Sequence, residues 1–243
     1  MGQSPDGHPK GTHEYLPGLE ILKAILDGQS GLETTLVRAD DPWPEGPELL
    51  SNADAVVFFV SEGARWFRED PKRLEVLNQL AAKPTGLLGI HWGLGTRDAA
   101  NIDTCLSLLG GCHGGPDRKY QDVSTDLTVI DPSMPITRGI GNMKIREEFY
   151  YRLKFAKTPA PIPLLMARME NQPETVAWAW IRPGGGRSFG FSGLHHHRNW
   201  ELEEYRRLIA QAVLWTLDRP IPPGGIKVQL PQGTFSGKTT GDQ

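Results

Sequence analysis

A chain of 243 residues, 38% hydrophobic and 23% charged, carries enough apolar material for one core of ordinary size. Its net charge of -3, without a basic stripe, gives no reason to expect a nucleic-acid partner. No apolar run approaches the ~18 residues that a membrane span needs. The two cysteines, Cys105 and Cys112, form neither a CxxC motif nor a disulfide framework.

The first residues, "MGQSPDGHPKG", read as a polar loop without the apolar core of a signal peptide. A helix follows, with Leu16, Leu19, Leu22, Ile25 and Leu26 at helical spacing and Gly28 as its stop. An α/β domain places a buried strand before such a loop, so the expectation is that a first strand is missing from this chain. On that expectation the chain is unstable alone or borrows a strand from another copy. "TTLV" (34–37) is a short strand candidate, and "AVVFFV" (55–60) has the continuous apolar character of a strand buried on both faces. Residues 70–83 read as a helix, "TGLLGIHWG" (85–93) as a second buried strand ending in a glycine-rich turn, and 98–111 as another helix. This alternation predicts βαβ units and a parallel sheet.

The second half is richer in strands, with candidates at 127–130, 163–167, 175–182 and 187–193. "RPGGGR" (182–187) joins the last two as a hairpin turn. Residues 201–217 give the clearest amphipathic helix, and from residue 220 the Pro/Gly-rich chain reads as a disordered tail. The reading is one α/β domain over 1–219 with a mixed sheet, followed by a tail over 220–243.

In open α/β sheets, ligands and catalytic groups gather at the carboxyl ends of the strands. His91 ends one predicted strand, and His195 and His197 follow another. His8, His13 and Glu14 lie in the first loop. Packing rarely asks for several imidazoles together, so their convergence would mark a site. In an extended segment, residues 195 and 197 point to one side and 196 to the other. His195 and His197 are therefore read as the working pair and His196 as a spacer. The imidazoles can hold a divalent metal, grip sugar hydroxyls or shuttle protons, and spacing alone does not choose among these. "EEFYY" (147–151) sets paired carboxylates beside aromatic rings, which suits acid/base work or a sugar contact. A P-loop, a GxGxxG fingerprint and a GxSxG elbow are all absent.

Taken in order, "GHPKGTHEY", "GLLGIHWG", "PITRGI", "EEFYY", "VAWAW" and "GLHHHRNW" resemble the ThuA-like (trehalose utilisation) family from about residue 6 to residue 217. The most specific block is the closing GxHxHxNW pattern of Gly193, His195, His197, Asn199 and Trp200. The resemblance implies a flavodoxin-like three-layer fold similar to class I glutamine amidotransferases. It also implies a role in sugar catabolism on glycosides or their 3-keto derivatives, beside an NAD-dependent oxidoreductase. Motif by motif, it carries over to His13, Glu14, His91, Glu148, Tyr150, His195 and His197, of which His13, His91, His195 and His197 are the candidate ligands should the site hold a divalent metal, zinc or manganese. Glu148 and His91 take the catalytic roles, and Tyr150, Glu14, Asn199 and Trp200 contact substrate. Phe149 stands where the family usually shows Trp. A Cys-dependent amidotransferase is not expected, since the elbow "GIHWG" has no thiol. The rival reading is a non-catalytic sugar-binding or accessory subunit of an oxidoreductase. A cytoplasmic setting is the expectation, and a homo-oligomer is allowed.

Overall fold

The computed structural model describes residues 1–230 and Thr234. Its elements in chain order are α1 (Tyr15–Asp27), α2 (Gly46–Ser51), β1 (Ala55–Phe58), α3 (Gly63–Glu69), α4 (Pro71–Ala81), β2 (Gly86–Ile90), α5 (Ile102–Leu109), β3 (Gly111–Cys112), β4 (Lys119–Val129), β5 (Met143–Tyr151), β6 (Lys154–Phe155), β7 (Ile162–Met169), β8 (Gln172–Ile181), β9 (Arg187–Phe191) and α6 (Glu203–Thr216). The main sheet has the order β1-β2-β9-β8-β7-β4-β5. β1, β2 and β9 run parallel, and the remaining neighbours pair antiparallel, so the sheet is mixed.

Helices cover both faces of the parallel part. On one side, α1 and α6 bring Leu19, Leu22, Tyr205, Leu208 and Ile209 onto the sheet. On the other, α3, α4 and α5 bring Trp66, Phe67, Leu77, Cys105 and Leu108. Every residue of β2 is buried in consequence, which is why its sequence is apolar without alternation. This is the three-layer α/β architecture that the sequence predicts.

Four departures have physical causes. Residues 34–37 form no strand. The nearest pairing is Arg38 with Gly2, which also bridges Phe59 in parallel on its other side. Beside Met1 a cavity of about 620 Å³ is lined by residues of both 33–37 and 55–57, with Leu22, Leu26 and Val213. The strand predicted over 127–130 is the end of the much longer β4, whose alternating polar residues pair with β5 in a ribbon. The last helix begins at Glu203, after a 3-10 turn over His197–Glu201. Finally, residues 220–230 are not a loose tail: Ile221, Ile226 and Val228 are buried against α6. Arg206 and Arg207 donate to the carbonyls of Val228 and Ile226, which fixes that segment. The prediction for 231–243 falls outside the described residues, apart from Thr234.

Candidate functional site

Two parallel strands and the first loop build the site, and each enters it through a strained residue. β2 ends at Ile90, and His91 turns the chain at φ 47° into a 3-10 turn over His91–Leu94. The turn packs so tightly that a Cβ on Gly93 would lie 2.4 Å from the Phe58 carbonyl oxygen. Past β9, Leu194 adopts φ 72°, and in the first loop His13 adopts φ 50°. Left-handed backbone at a non-glycine residue costs on the order of 1–3 kcal/mol and clusters at functional sites.

The first loop and the histidine run hold one another by their backbones. Thr12 bridges His196 antiparallel, His13 N donates to His195 O at 3.1 Å, and His197 N donates to Gly11 O at 2.8 Å. That pairing turns the His195 ring inward. His196 faces Asp122 at 3.5 Å on the ribbon.

Three imidazoles meet with His91 at the hub. His91 Nε2 lies 3.0 Å from His13 Nε2, 3.2 Å from His195 Nδ1 and 3.0 Å from the Tyr150 hydroxyl. His91 is wholly buried, His13 nearly so. The proton positions follow from the outer partners. His91 Nδ1 donates to the Ser192 carbonyl at 2.8 Å, which leaves Nε2 as a lone pair when the ring is neutral. His13 Nδ1 lies 3.0 Å from Asp6 Oδ2. Burial holds all three rings toward neutrality. It lowers His91 well below the ordinary imidazole value, aided by the neighbouring His13 and His195. His195 falls to about 3 for the same two reasons, burial first and then His13. His13 is lowered by burial against the opposing pull of Asp6. Neutral imidazoles offering nitrogen toward one point are a divalent-metal donor set, and these ligand atoms lie within 4.8 Å of one another.

The acid pair of β5 divides by the alternation of the strand. Glu148 reaches the site, with Oε1 3.3 Å from His195 Nδ1 and 4.0 Å from His91 Nε2. Burial, then Asp122, raises its carboxyl to about 7. Glu147 points to the other side and is fully buried. Its carboxylate accepts from Leu194 N at 2.9 Å, His196 N at 3.3 Å and Asn199 Nδ2 at 2.9 Å, so it clamps the loop that carries His195. Burial nonetheless raises Glu147 to about 7, against those bonds. Tyr150 lies between the rings of His91 and His113, with centroids 4.3 and 4.0 Å away, which fixes its hydroxyl on the hub.

Of the residues singled out in the sequence, His13, His91, His195, Glu148 and Tyr150 come together. His197 does not join them. Residue 197 opens a 3-10 turn, so the period-two argument that paired it with His195 fails there, and its side chain is outside the nitrogen cluster. Asn199 and Trp200 are not on a substrate face. Asn199 is spent on Glu147 and the Arg146 carbonyl. Trp200 is buried beneath α1, where a Cβ on Gly18 would meet its Nε1 at 2.7 Å. Glu14 accepts from Gly11 N at 2.9 Å and closes the first loop on itself. Cys105 and Cys112 are buried on α5 and β3, so neither stands at the His91 elbow itself, and burial pushes the Cys105 thiol well up. Sequence reasoning missed Asp6, Glu147 and His113. Asp6 and His113 carry no motif, and the carboxyl pair was read without the strand parity that separates Glu147 from Glu148.

A three-layer α/β fold with a buried histidine cluster at the carboxyl rim of its parallel strands defines the class of this protein. The sequence profile of the ThuA family, described as trehalose utilisation, matches residues 7–216, and the chain belongs to that family. Solved structures agree in fold. A putative ThuA-like protein of Parabacteroides merdae superposes with a TM-score of 0.65 at 11% identity, covering 95% of this chain and 91% of that one. A putative ThuA-like protein of Bacteroides uniformis gives 0.63 at 12% identity over 88% and 89%. A cytoplasmic protein of Salmonella typhimurium gives 0.58 at 15% identity over 81% and 85%. No curated protein matches the chain in sequence. Among the described residues no helix is long and apolar enough to cross a membrane.

Proposed function

We propose that the protein is a sugar-catabolising enzyme that acts on a 3-keto-glycoside, with Glu148 as the base and a divalent cation, zinc or manganese, held by His13, His91 and His195. The observation that carries this reading is the meeting of three uncharged imidazoles with one half-buried carboxyl whose proton is held to near neutral pH. A base with that affinity suits removal of a weakly acidic C–H at neutral pH.

A keto group at C3 of a glycoside acidifies the C2–H bond. The Glu148 carboxylate takes that proton, and the electron pair passes into the C3 carbonyl as an enediolate. Collapse of the enediolate forms a C1=C2 double bond and expels the glycosidic oxygen from C1. That oxygen takes up a proton, and the carboxyl of Glu148 returns its own to solvent. A bound cation would stabilise the negative charge at the C3 oxygen. Tyr150, locked between two rings, presents a hydroxyl at the same place and orients the sugar. The partner that supplies such a substrate is an oxidoreductase that oxidises the sugar at C3, NAD-dependent on this reading.

Glu148→Gln keeps the side-chain shape and removes the base. The expected result is loss of glucose release from 3-keto-trehalose by ~10²–10⁴-fold, with sugar binding retained. Retained turnover would take Glu148 out of the role. Binding without turnover in the wild type would favour a binding subunit of an oxidoreductase.

A further inference from the structure

Asp6 has no place in any motif, yet side-chain donors from four residues converge on it. Oδ1 accepts from His8 Nδ1 at 2.6 Å, and Oδ2 accepts from the Tyr15 hydroxyl at 2.6 Å and Ser61 Oγ at 3.0 Å. The same oxygen faces His13 Nδ1 at 3.0 Å. Two hydroxyls already donate to Oδ2, so this oxygen is placed as an acceptor, the arrangement of an ionised carboxylate. An ionised carboxylate only accepts, so the His13 nitrogen that faces it carries the hydrogen. His13 Nε2 is then a lone pair. It points at His91 Nε2 across 3.0 Å, and that nitrogen is also a lone pair because His91 Nδ1 donates to the Ser192 carbonyl. Two lone pairs at that distance repel unless both bind one cation.

We propose that Asp6 is the positioning residue of this centre. It fixes His13 as the Nδ1–H tautomer, so that His13 Nε2 and His91 Nε2 both offer lone pairs to one divalent cation, with His195 Nδ1 as the third donor. The inference rests on the metal reading above and adds the group that orients a ligand, the part played by outer carboxylates in histidine metal sites. Simple anchoring of the loop does not account for Asp6, because other contacts already do that. Ser4 bonds Asp40 through both its backbone and its hydroxyl, Gln3 accepts from Ser61 N, and the His13 and His197 amides pair with the opposing chain.

The test uses Asp6→Asn, whose amide can donate to His13 Nδ1 and so move the ring hydrogen to Nε2. Cobalt(II) chloride titrated into metal-stripped protein reports affinity, and its visible absorption reports four-coordinate geometry. Asp6→Asn is expected to weaken Co²⁺ binding by about 10–100-fold and to bleach the four-coordinate band, with partial rescue by Asp6→Glu. In ¹⁵N-histidine NMR of the metal-free wild type, His13 should carry its hydrogen on Nδ1. If the wild type binds no Co²⁺, the metal reading and this inference fall together. If it binds and Asp6→Asn binds within twofold, only the role of Asp6 falls. A hydrogen on His13 Nε2 in the wild type overturns it as well, even should the variant fail to fold.

Discussion

Glu147→Ala removes an acceptor that no water can easily replace. The carboxylate is wholly buried and receives Leu194 N, His196 N and Asn199 Nδ2, all from the loop that delivers His195. With Glu148 N, which it also receives, its loss orphans four donors, each at roughly 1–3 kcal/mol. Partial relaxation and the side chain's own desolvation, which the variant no longer has to bear, bring the expected net loss to about 3–5 kcal/mol. The same residue gives a pH signature. Its pKa rises on folding from 4.5 to about 7, so folding favours the protonated form. That stability is fully present below pH 4.5, falls as pH rises, and is gone above pH 7. At 1.36 kcal/mol per unit, the span is worth about 3 kcal/mol. Urea denaturation followed by tryptophan fluorescence at pH 5 and pH 8 measures both effects. The wild type should lose stability between those values from this residue, and Glu147→Ala should lack that component while being less stable at pH 5. A loss under 1 kcal/mol at pH 5, with an unchanged pH slope, would refute the clamp.

Three further outcomes follow from the same geometry. Gly93→Ala forces a Cβ toward the Phe58 carbonyl oxygen, a backbone atom that cannot rotate away. The cost should be about 1–3 kcal/mol in chemical denaturation, with displacement of His91 seen as a shifted His91 ring signal by NMR. Asn199→Ala should destabilise by about 1–3 kcal/mol through Glu147, without the change in sugar affinity that a substrate contact would give; calorimetry with 3-keto-trehalose reads the difference. Iodoacetamide applied to native protein should label neither Cys105 nor Cys112, both fully buried; mass spectrometry showing rapid labelling of either would contradict their placement.

The architecture was legible because its signals are local. The unbroken apolar run of β2 marks a strand covered on both faces, and the stripe of α6 marks a helix laid on a sheet; β1, read the same way, is fully buried only at Val56 and Phe58. The site was half legible. His91 and His195 follow from the rule that strand ends carry chemistry, and His13 from the loop motif. The error at His197 came from extending a strand's parity past Phe191, where Leu194 and the following 3-10 turn rotate the chain. Asn199 and Trp200 belong to the most specific motif in the chain, yet both serve packing, because a loop that aims one histidine needs its own anchors. The long β4 escaped notice since only Leu127 among its residues is buried, so its pattern lacks an apolar face. Asp6 was beyond reach because its importance arises from four donors that meet only in three dimensions.

The most direct test of the account is proton NMR of 3-keto-trehalose in D₂O with purified protein, zinc or manganese supplied. The account predicts loss of the C2 proton signal and release of glucose, both dependent on Glu148. Saturable sugar binding with an unchanged C2 signal and no glucose would contradict it, and would leave the histidine rim as a binding surface.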